Sequence, residues 1–379
     1  MLLAQGLSRS RDIGGIQPEV AVVTPTPSRQ WDDAALPFRV VRQPTVATLV
    51  ALFWRAHVIH LAGPCFLPLL LGILLRKPVI VEHSGYQACC PNGLLLDERT
   101  QTVCPGHFMI GRYRECLGCN KEKAGWTKSL TMLLLTFPRR WLCGRVACNV
   151  GPSAHIGRRV ALPRMVTIHH GVPAPAVVES GGDEAPPRPV FFVYVGRLVW
   201  EKGVPVLLEA ARRLQNRGYD FHLRIIGDGP QRTMVEELTD RYGLRERTAF
   251  TGYLHGEALE AAQRGARATI MASVCEDVAP LAAMENMMQG RLLIVSDIGG
   301  LGELVGDVGL KFEAGNAEAL ASCMQLVLDK PRIAKVLGRD AKQRASQLFS
   351  VERMVSEHLE LYRELSSDCV RELARQIEQ

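Results

Sequence analysis

Arg197 and Lys202 stand in the stretch 195–203, VGRLVWEKG, where a buried strand passes into a helix. Gly196 permits a sharp turn. Two cations close to a helix N-terminus, where unsatisfied N–H groups and the macrodipole already favour negative charge, make an anion site. A phosphate-bearing ligand is the chemistry such a turn would serve, although an ordinary strand-to-helix turn with solvated charges has the same residues. Three further features follow: 227–230 (GDGP, with Gly227 leading it), the acidic stretch 276–285, and Gly299-Gly300 followed by Glu303. All four stand at the C-terminal ends of predicted strands, the edge at which open α/β sheets bind ligands.

Cysteine supplies a second chemistry. Cys90, Cys104, Cys116 and Cys119 lie in a polar stretch, 89–119, that carries glycine and proline and contains a C-x-x-C pair. Four thiolates could close a tetrahedral zinc site that pins an irregular loop, with Cys89, His83 and His107 as competing ligands. The adjacent His169 and His170 in TIHHGV are read as part of a turn, because no third ligand for a metal is in sight along the chain. His60, in VIHL, is read as a packing residue at a sheet end. The remaining cysteines sit in apolar surroundings and read as small core residues.

The elements that position these groups are legible from periodicity. In the first half, 19–24 (EVAVVT), 58–61 (VIHL) and 78–82 (PVIVE) read as short strands, with apolar helical residues from 64 to 75 between the last two. This alternation predicts βαβ units and a parallel sheet. The glycine turn DIGGI, with Gly14 and Gly15, precedes the first strand with only Gln17 and Pro18 between, too few for a helix. The segment 126–141 places Leu130, Leu133, Leu134 and Phe137 at helical spacing beside Arg139 and Arg140. It is expected to pack on its domain, and a membrane surface is the other environment it suits. After 177–189, a linker by its glycine, proline and charge, strands are predicted at 191–195, 222–226, 249–251, 269–272, 292–295 and 310–312. Helices between most of them give a doubly wound domain. The resulting division is 1–176 with the insertion 89–119, the linker 177–189, a domain 190–345, and a helical segment 346–379 returning to the first domain.

The whole chain is consistent with this. Its 379 residues suit two domains, and 47% hydrophobic with 22% charged residues is normal for a globular protein. A net charge of +6 suits anionic ligands or a membrane surface and is too weak to imply nucleic acid. The most apolar stretch, 61–75, is broken by Pro64 and Pro68 and is shorter than the ~20 residues of a spanning helix. The N-terminus lacks the order of a signal peptide, so the expected location is cytoplasmic, with the inner face of the membrane as a place of work, and disulfides are not expected among the eleven cysteines.

In their order and spacing, the Arg197/Lys202 turn, the GDGP turn, the acidic stretch and Gly299-Gly300 resemble the donor half of retaining GT-B glycosyltransferases, the family related to glycogen and sucrose synthases. The resemblance runs from about 189 to 320 and more loosely over the first half. It implies an α/β fold of two Rossmann-like, doubly wound domains facing a central cleft. It also implies transfer of a sugar from a nucleoside diphosphate sugar to an acceptor hydroxyl, with no catalytic metal. Arg197 and Lys202 match the residues that hold the diphosphate. Of the family's two glutamates, with seven residues between them, Glu285 matches the ribose-binding second, and counting back puts Asp277 at the sugar-contacting first, a methylene shorter. Pro280 replaces a glycine whose N–H approaches the donor, which leaves Leu281 as the backbone donor to the phosphate. His83, in VIVEH, matches a histidine that contacts the donor sugar, and Gly14 and Gly15 resemble the loop near the donor phosphate and acceptor. The expected partners are a nucleotide sugar and a glycan or lipid-linked acceptor, with peripheral membrane contact. Asp277, Pro280 and the absent helix behind Gly15 also suit a degenerate, non-catalytic binder of a nucleotide sugar or of a partner glycosyltransferase.

Overall fold

The computed structural model describes residues 1–10, 18–27, 32–175 and 190–377. Gly14, Gly15 and the expected linker 177–189 lie outside the described residues. The chain divides into two compact units, one of Met1–Leu94, Gly106–Gly171 and Phe349–Gln379, the other of Leu95–Pro105 and Val172–Leu348.

In the first unit β1 (Ala21–Thr24) pairs in parallel with β2 (Arg39–Arg42). Further on come β3 (Ile59–Leu61) and β4 (Val79–Glu82). A short antiparallel hairpin, β5 (Leu96–Asp97) with β6 (Thr102–Val103), comes next in the chain and groups with the second unit. β7 (Cys148–Gly151) and β8 (Met165–Thr167) complete the first unit's parallel sheet, ordered β3-β4-β7-β8. Val79, Ile80 and Val81 are buried, as expected of a parallel strand covered on both faces. β7 was not among the expected strands. Its sequence, CNVG, puts a fully buried asparagine in mid-strand, and Asn149 is tolerated because its amide donates to the carbonyls of Cys143 (3.0 Å) and Pro163 (2.9 Å).

The returning C-terminal segment is the helix Val351–Ile377, and it belongs to the first unit. Val355 and Leu359 pack on Leu7 of the helix Leu2–Arg9, and Met354 packs in a cluster with Ile80, Cys148 and Val150 of the sheet. The helical segment Tyr113–Cys143 is interrupted at Gly125 (φ 75°, ψ 168°). Beyond that break Leu133, Leu142 and Cys143 are buried, while Trp126, Leu130, Leu134, Phe137 and Trp141 are exposed. The expected packing on the domain therefore accounts for only one face of this helix.

The second unit's parallel sheet has six strands: β9 (Phe191–Val195), β10 (His222–Ile226), β11 (Thr248–Gly252), β12 (Ala268–Met271), β13 (Leu293–Ser296) and β14 (Leu310–Phe312). Their order across the sheet is β11-β10-β9-β12-β13-β14, with every neighbouring pair parallel. Counted from β9 this is the 3-2-1-4-5-6 order of the doubly wound fold, and the strand order reverses between β9 and β12. The helix Val204–Asn216, after β9, buries Val204, Leu207, Leu208, Ala211 and Leu214 against Phe192, Tyr194 and Leu223, on the face that the sequence spacing predicts. Each of the valine and leucine side chains contributes about 1.5–3 kcal/mol through burial.

Candidate functional site

At the switch point between β9 and β12 the four features of the second half come together in one unit. Leu198 N–H donates to Asp228 O (2.9 Å) and Gly196 N–H to Ile226 O (3.0 Å), which joins the Arg197 turn to the GDGP turn. On the other side Val274 N–H donates to Glu201 O (2.9 Å), joining the same turn to the segment after β12. That segment is joined in its turn to the Gly299-Gly300 turn, through Gly300 N–H to Asp277 O (2.6 Å).

Gly227 and Gly299 are among the glycines this approach needs. A Cβ on Gly227 (φ +137°) would lie 1.9 Å from Gly196 O, and one on Gly299 (φ +63°) would lie 2.7 Å from Asp277 O. Both positions combine a backbone conformation that side chains rarely adopt with contact to main chain that cannot turn away.

Lys202 follows the turn, in a short 3-10 helix over Trp200–Lys202, and its Nζ donates to Asp277 Oδ1 at 2.5 Å. Ser273 Oγ donates to the other carboxylate oxygen at 2.6 Å. Asp277 is thus oriented by both neighbours, and the shorter side chain is matched by this pair. Arg197 is exposed, 3.6 Å from Glu201 in an i,i+4 ion pair, and its carbonyl accepts from Tyr194 Oη (2.8 Å). Ser273 and Tyr194 are positioning residues that the sequence did not mark, since nothing in their neighbours announces a partner. Cys275, beside Asp277, is buried and its thiol is pushed up to about 12, chiefly by desolvation, so it is inert there.

Pro280 caps the helix Leu281–Met288, which places the Leu281 N–H at the helix N-terminus. Leu281 and Glu285 are both exposed, and their spacing of four puts them on one face. Although Glu285 keeps an exposed face, the surrounding protein partly desolvates it and raises its carboxyl above the ordinary value.

In the first unit His83 directly follows β4 and is fully buried. Its Nε2 lies 2.9 Å from Asn149 Oδ1. Because the Asn149 amide nitrogen already donates to two carbonyls, its oxygen must accept, so His83 carries its proton on Nε2 and presents an unprotonated Nδ1. That Nδ1 is buried with no hydrogen-bond partner. Burial also lowers the His83 pKa and keeps the ring neutral. Of the four cysteines, Cys90 donates to Asn92 Oδ1 (2.9 Å) and Asn92 Nδ2 to Cys119 Sγ (3.5 Å), which brings these two thiols to one asparagine. Cys116 packs with Phe108 and Leu133, and Cys104 belongs to the hairpin of the second unit.

The strand order defines a doubly wound α/β domain, within the fold of the GT-B glycosyltransferases. Sucrose-phosphate synthase from Thermosynechococcus elongatus superposes with a TM-score of 0.68 at 20% identity, over 97% of this chain and 92% of that one. Anabaena HepE, solved in complex with UDP-glucose, superposes with a TM-score of 0.64 at 15% identity, over 87% of this chain and 86% of that one. Residues 181–344 match the glycosyl transferases group 1 family, and this part of the chain is a domain of that family. The alpha-D-kanosaminyltransferase of Streptomyces kanamyceticus is 29% identical over 180 residues, 47% of this chain and 46% of that protein. The chain spans about half the length of the curated relatives it matches.

Proposed function

We propose that the protein is a retaining glycosyltransferase that moves a sugar from a nucleoside diphosphate sugar to an acceptor hydroxyl. The observation that carries this reading is the Lys202–Asp277 pair at the switch point, in turns tied by main-chain hydrogen bonds to the GDGP turn and to Gly300. Lys202 and Arg197 hold the diphosphate and stabilise the charge that grows on it as the glycosidic bond breaks. The Leu281 N–H, at a helix N-terminus, adds a neutral donor. Asp277 accepts hydrogen bonds from sugar hydroxyls and Glu285 from the ribose, both strengthened by charge. His83 accepts a hydrogen bond from a sugar hydroxyl at its unprotonated Nδ1. Front-face attack by the acceptor, its proton passing to the departing phosphate oxygen, retains configuration without an enzyme nucleophile or a metal.

The acceptor belongs to a cell-surface glycan or a lipid-linked intermediate. Support comes from the helix face of Trp126, Leu130, Leu134, Phe137 and Trp141, with Lys121 stacked on Trp126 (4.7 Å) and Arg145 on Trp141 (3.4 Å). Aromatic and aliphatic side chains framed by cations suit the interface of an anionic membrane. No helix of the described residues is long and apolar enough to cross a membrane. The four cysteines are proposed as a structural zinc site.

Donor turnover tests the assignment. With UDP-, GDP- and ADP-sugars presented in turn, one donor is expected to be hydrolysed or transferred, and Lys202→Ala and Glu285→Ala are each expected to remove most of that turnover in a folded protein. Unchanged turnover in both variants would overturn the site. Nucleotide binding with no turnover of any donor would point instead to a degenerate binder.

A further inference from the structure

We infer that His60, Glu82 and His358 form a binding site for one divalent transition metal ion of the zinc class, which pins the C-terminal helix to the first unit's sheet. The three residues come from β3, from the end of β4, and from the helix Val351–Ile377, and their ligating atoms lie within 4.8 Å of one another. Among the described residues they are the group of three or more such side chains drawn this close.

Each would-be ligand atom is available. His60 Nε2 is buried and stands 3.3 Å from Glu82 Oε2, with no hydrogen-bond partner besides that carboxylate. A separation of about 3.3–3.4 Å is the edge of a tetrahedron built on zinc–nitrogen bonds of about 2.0–2.1 Å. His358 is 97% buried by its 3% exposure, and its Nε2 is without a partner. The orphaned, buried His358 Nε2, close to a carboxylate and a second imidazole, is costly unless something occupies the space between them.

The outer contacts carry the inference further. His358 Nδ1 lies 2.8 Å from Met354 O, an acceptor only, so the proton is on Nδ1 and the Nε2 lone pair is free. His60 Nδ1 is 2.6 Å from Tyr362 Oη, one helical turn beyond His358. His170 Nδ1 stands 3.4 Å from Glu82 Oε1, the carboxylate oxygen that His60 does not face. Every ligand thus has a second partner that fixes its orientation, the arrangement that metal-binding imidazoles and carboxylates share. A fourth position is open to water or to His170. Two imidazoles and one carboxylate suit zinc and disfavour magnesium or calcium.

The experiment must separate this site from the cysteines. Protein stripped with EDTA is titrated with Co²⁺ and, in parallel, with Zn²⁺ while the thermal midpoint is followed. A Cys90→Ser, Cys116→Ser, Cys119→Ser variant is expected to bind one Co²⁺ with weak visible ligand-field bands and no thiolate charge-transfer band. Zn²⁺ is expected to raise its thermal midpoint. His358→Gln and, as a second variant, Glu82→Gln, introduced into that background, are expected to lose both signals. The proposal is overturned if the triple variant binds no Co²⁺, or if either further variant binds it as before. Should the triple variant fail to fold, wild-type protein is read instead: two Co²⁺ ions, one with thiolate bands and one without, uphold the site, and a thiolate-type spectrum alone overturns it. The readout is independent of sugar transfer, so it stands or falls separately from the donor assignment.

Discussion

Lys202 Nζ and Asp277 Oδ1, 75 residues apart in the chain, meet at 2.5 Å between the ends of β9 and β12. Each is mostly shielded, with side chains 21% and 15% exposed, so the pair is stronger than a surface salt bridge and more sensitive to losing one member.

A double-mutant cycle measures that coupling. Lys202→Met leaves the Asp277 carboxylate with the neutral donors Ser273 and Cys275, and Asp277→Asn leaves the ammonium without its counter-charge. The coupling energy between them is expected to be about 1–3 kcal/mol by urea unfolding. Donor turnover follows a different rule: both single variants and the double are expected to lose about a hundredfold or more, because the neutral pair restores packing but not the phosphate cation.

Glu285 sets stability against binding. Its folded pKa is raised, so its contribution to stability is present in full below its unfolded value of 4.5 and is lost as pH rises through the folded value. At neutral pH the ionised carboxylate therefore opposes folding slightly. Glu285→Gln is expected to raise the thermal midpoint at pH 7.5 relative to wild type, with the gap closing at pH 4, while nucleotide affinity measured by calorimetry falls at pH 7.5. Wild-type affinity should begin to weaken on acidification at a pH above the ordinary carboxylate range.

Gly227 tests the close approach of the two turns. Gly227→Ala places a methyl group against Gly196 O and strains a backbone at φ +137°. A cost on the order of 3 kcal/mol is expected, which for a unit of this size lowers the thermal midpoint by roughly 6–12 °C. A midpoint within a degree of wild type would mean that the turns are not held together as described.

The exposed helix face predicts membrane partitioning. Trp126→Ser combined with Trp141→Ser is expected to abolish co-sedimentation with vesicles of phosphatidylserine and phosphatidylcholine, since each buried aromatic side chain contributes about 1.5–3 kcal/mol. High salt should weaken wild-type binding only in part, because the cations supply the screened share of the attraction. Turnover of a soluble donor, assayed as hydrolysis, should be unaffected.

Nearly all of the second unit was legible in the sequence, and the reason is local. Its strands are short apolar runs bounded by glycine turns, and its helices carry one apolar face. The strands at 191–195, 222–226 and 310–312 were therefore predicted with the bounds the structure shows. The residue types of the Arg197–Lys202 turn were legible for the same reason, since strand, glycine, cation and helix N-terminus lie within nine residues. The first unit was harder, because β7 places Asn149 where a core strand ordinarily has an aliphatic residue, and only the carbonyls of Cys143 and Pro163 make that acceptable.

Tertiary structure alone decided the pairings. The sequence offers Asp277 as a shortened carboxylate, and it cannot say that Lys202 and Ser273 clamp it. Nor can it say that His83 holds its proton on Nε2, which follows from the orientation of an asparagine 66 residues away. His60 and His170 looked like isolated residues at a sheet end and in a turn, for want of a further ligand. The ligand set is completed by Glu82 and by His358, the latter 298 positions beyond His60 on a helix whose own sequence reads only as amphipathic. Periodicity and spacing report what a residue's neighbours along the chain dictate. Charge pairs and coordination sites depend on directions in space that hydrophobic burial fixes first, and for that reason they become visible only once the chain has folded.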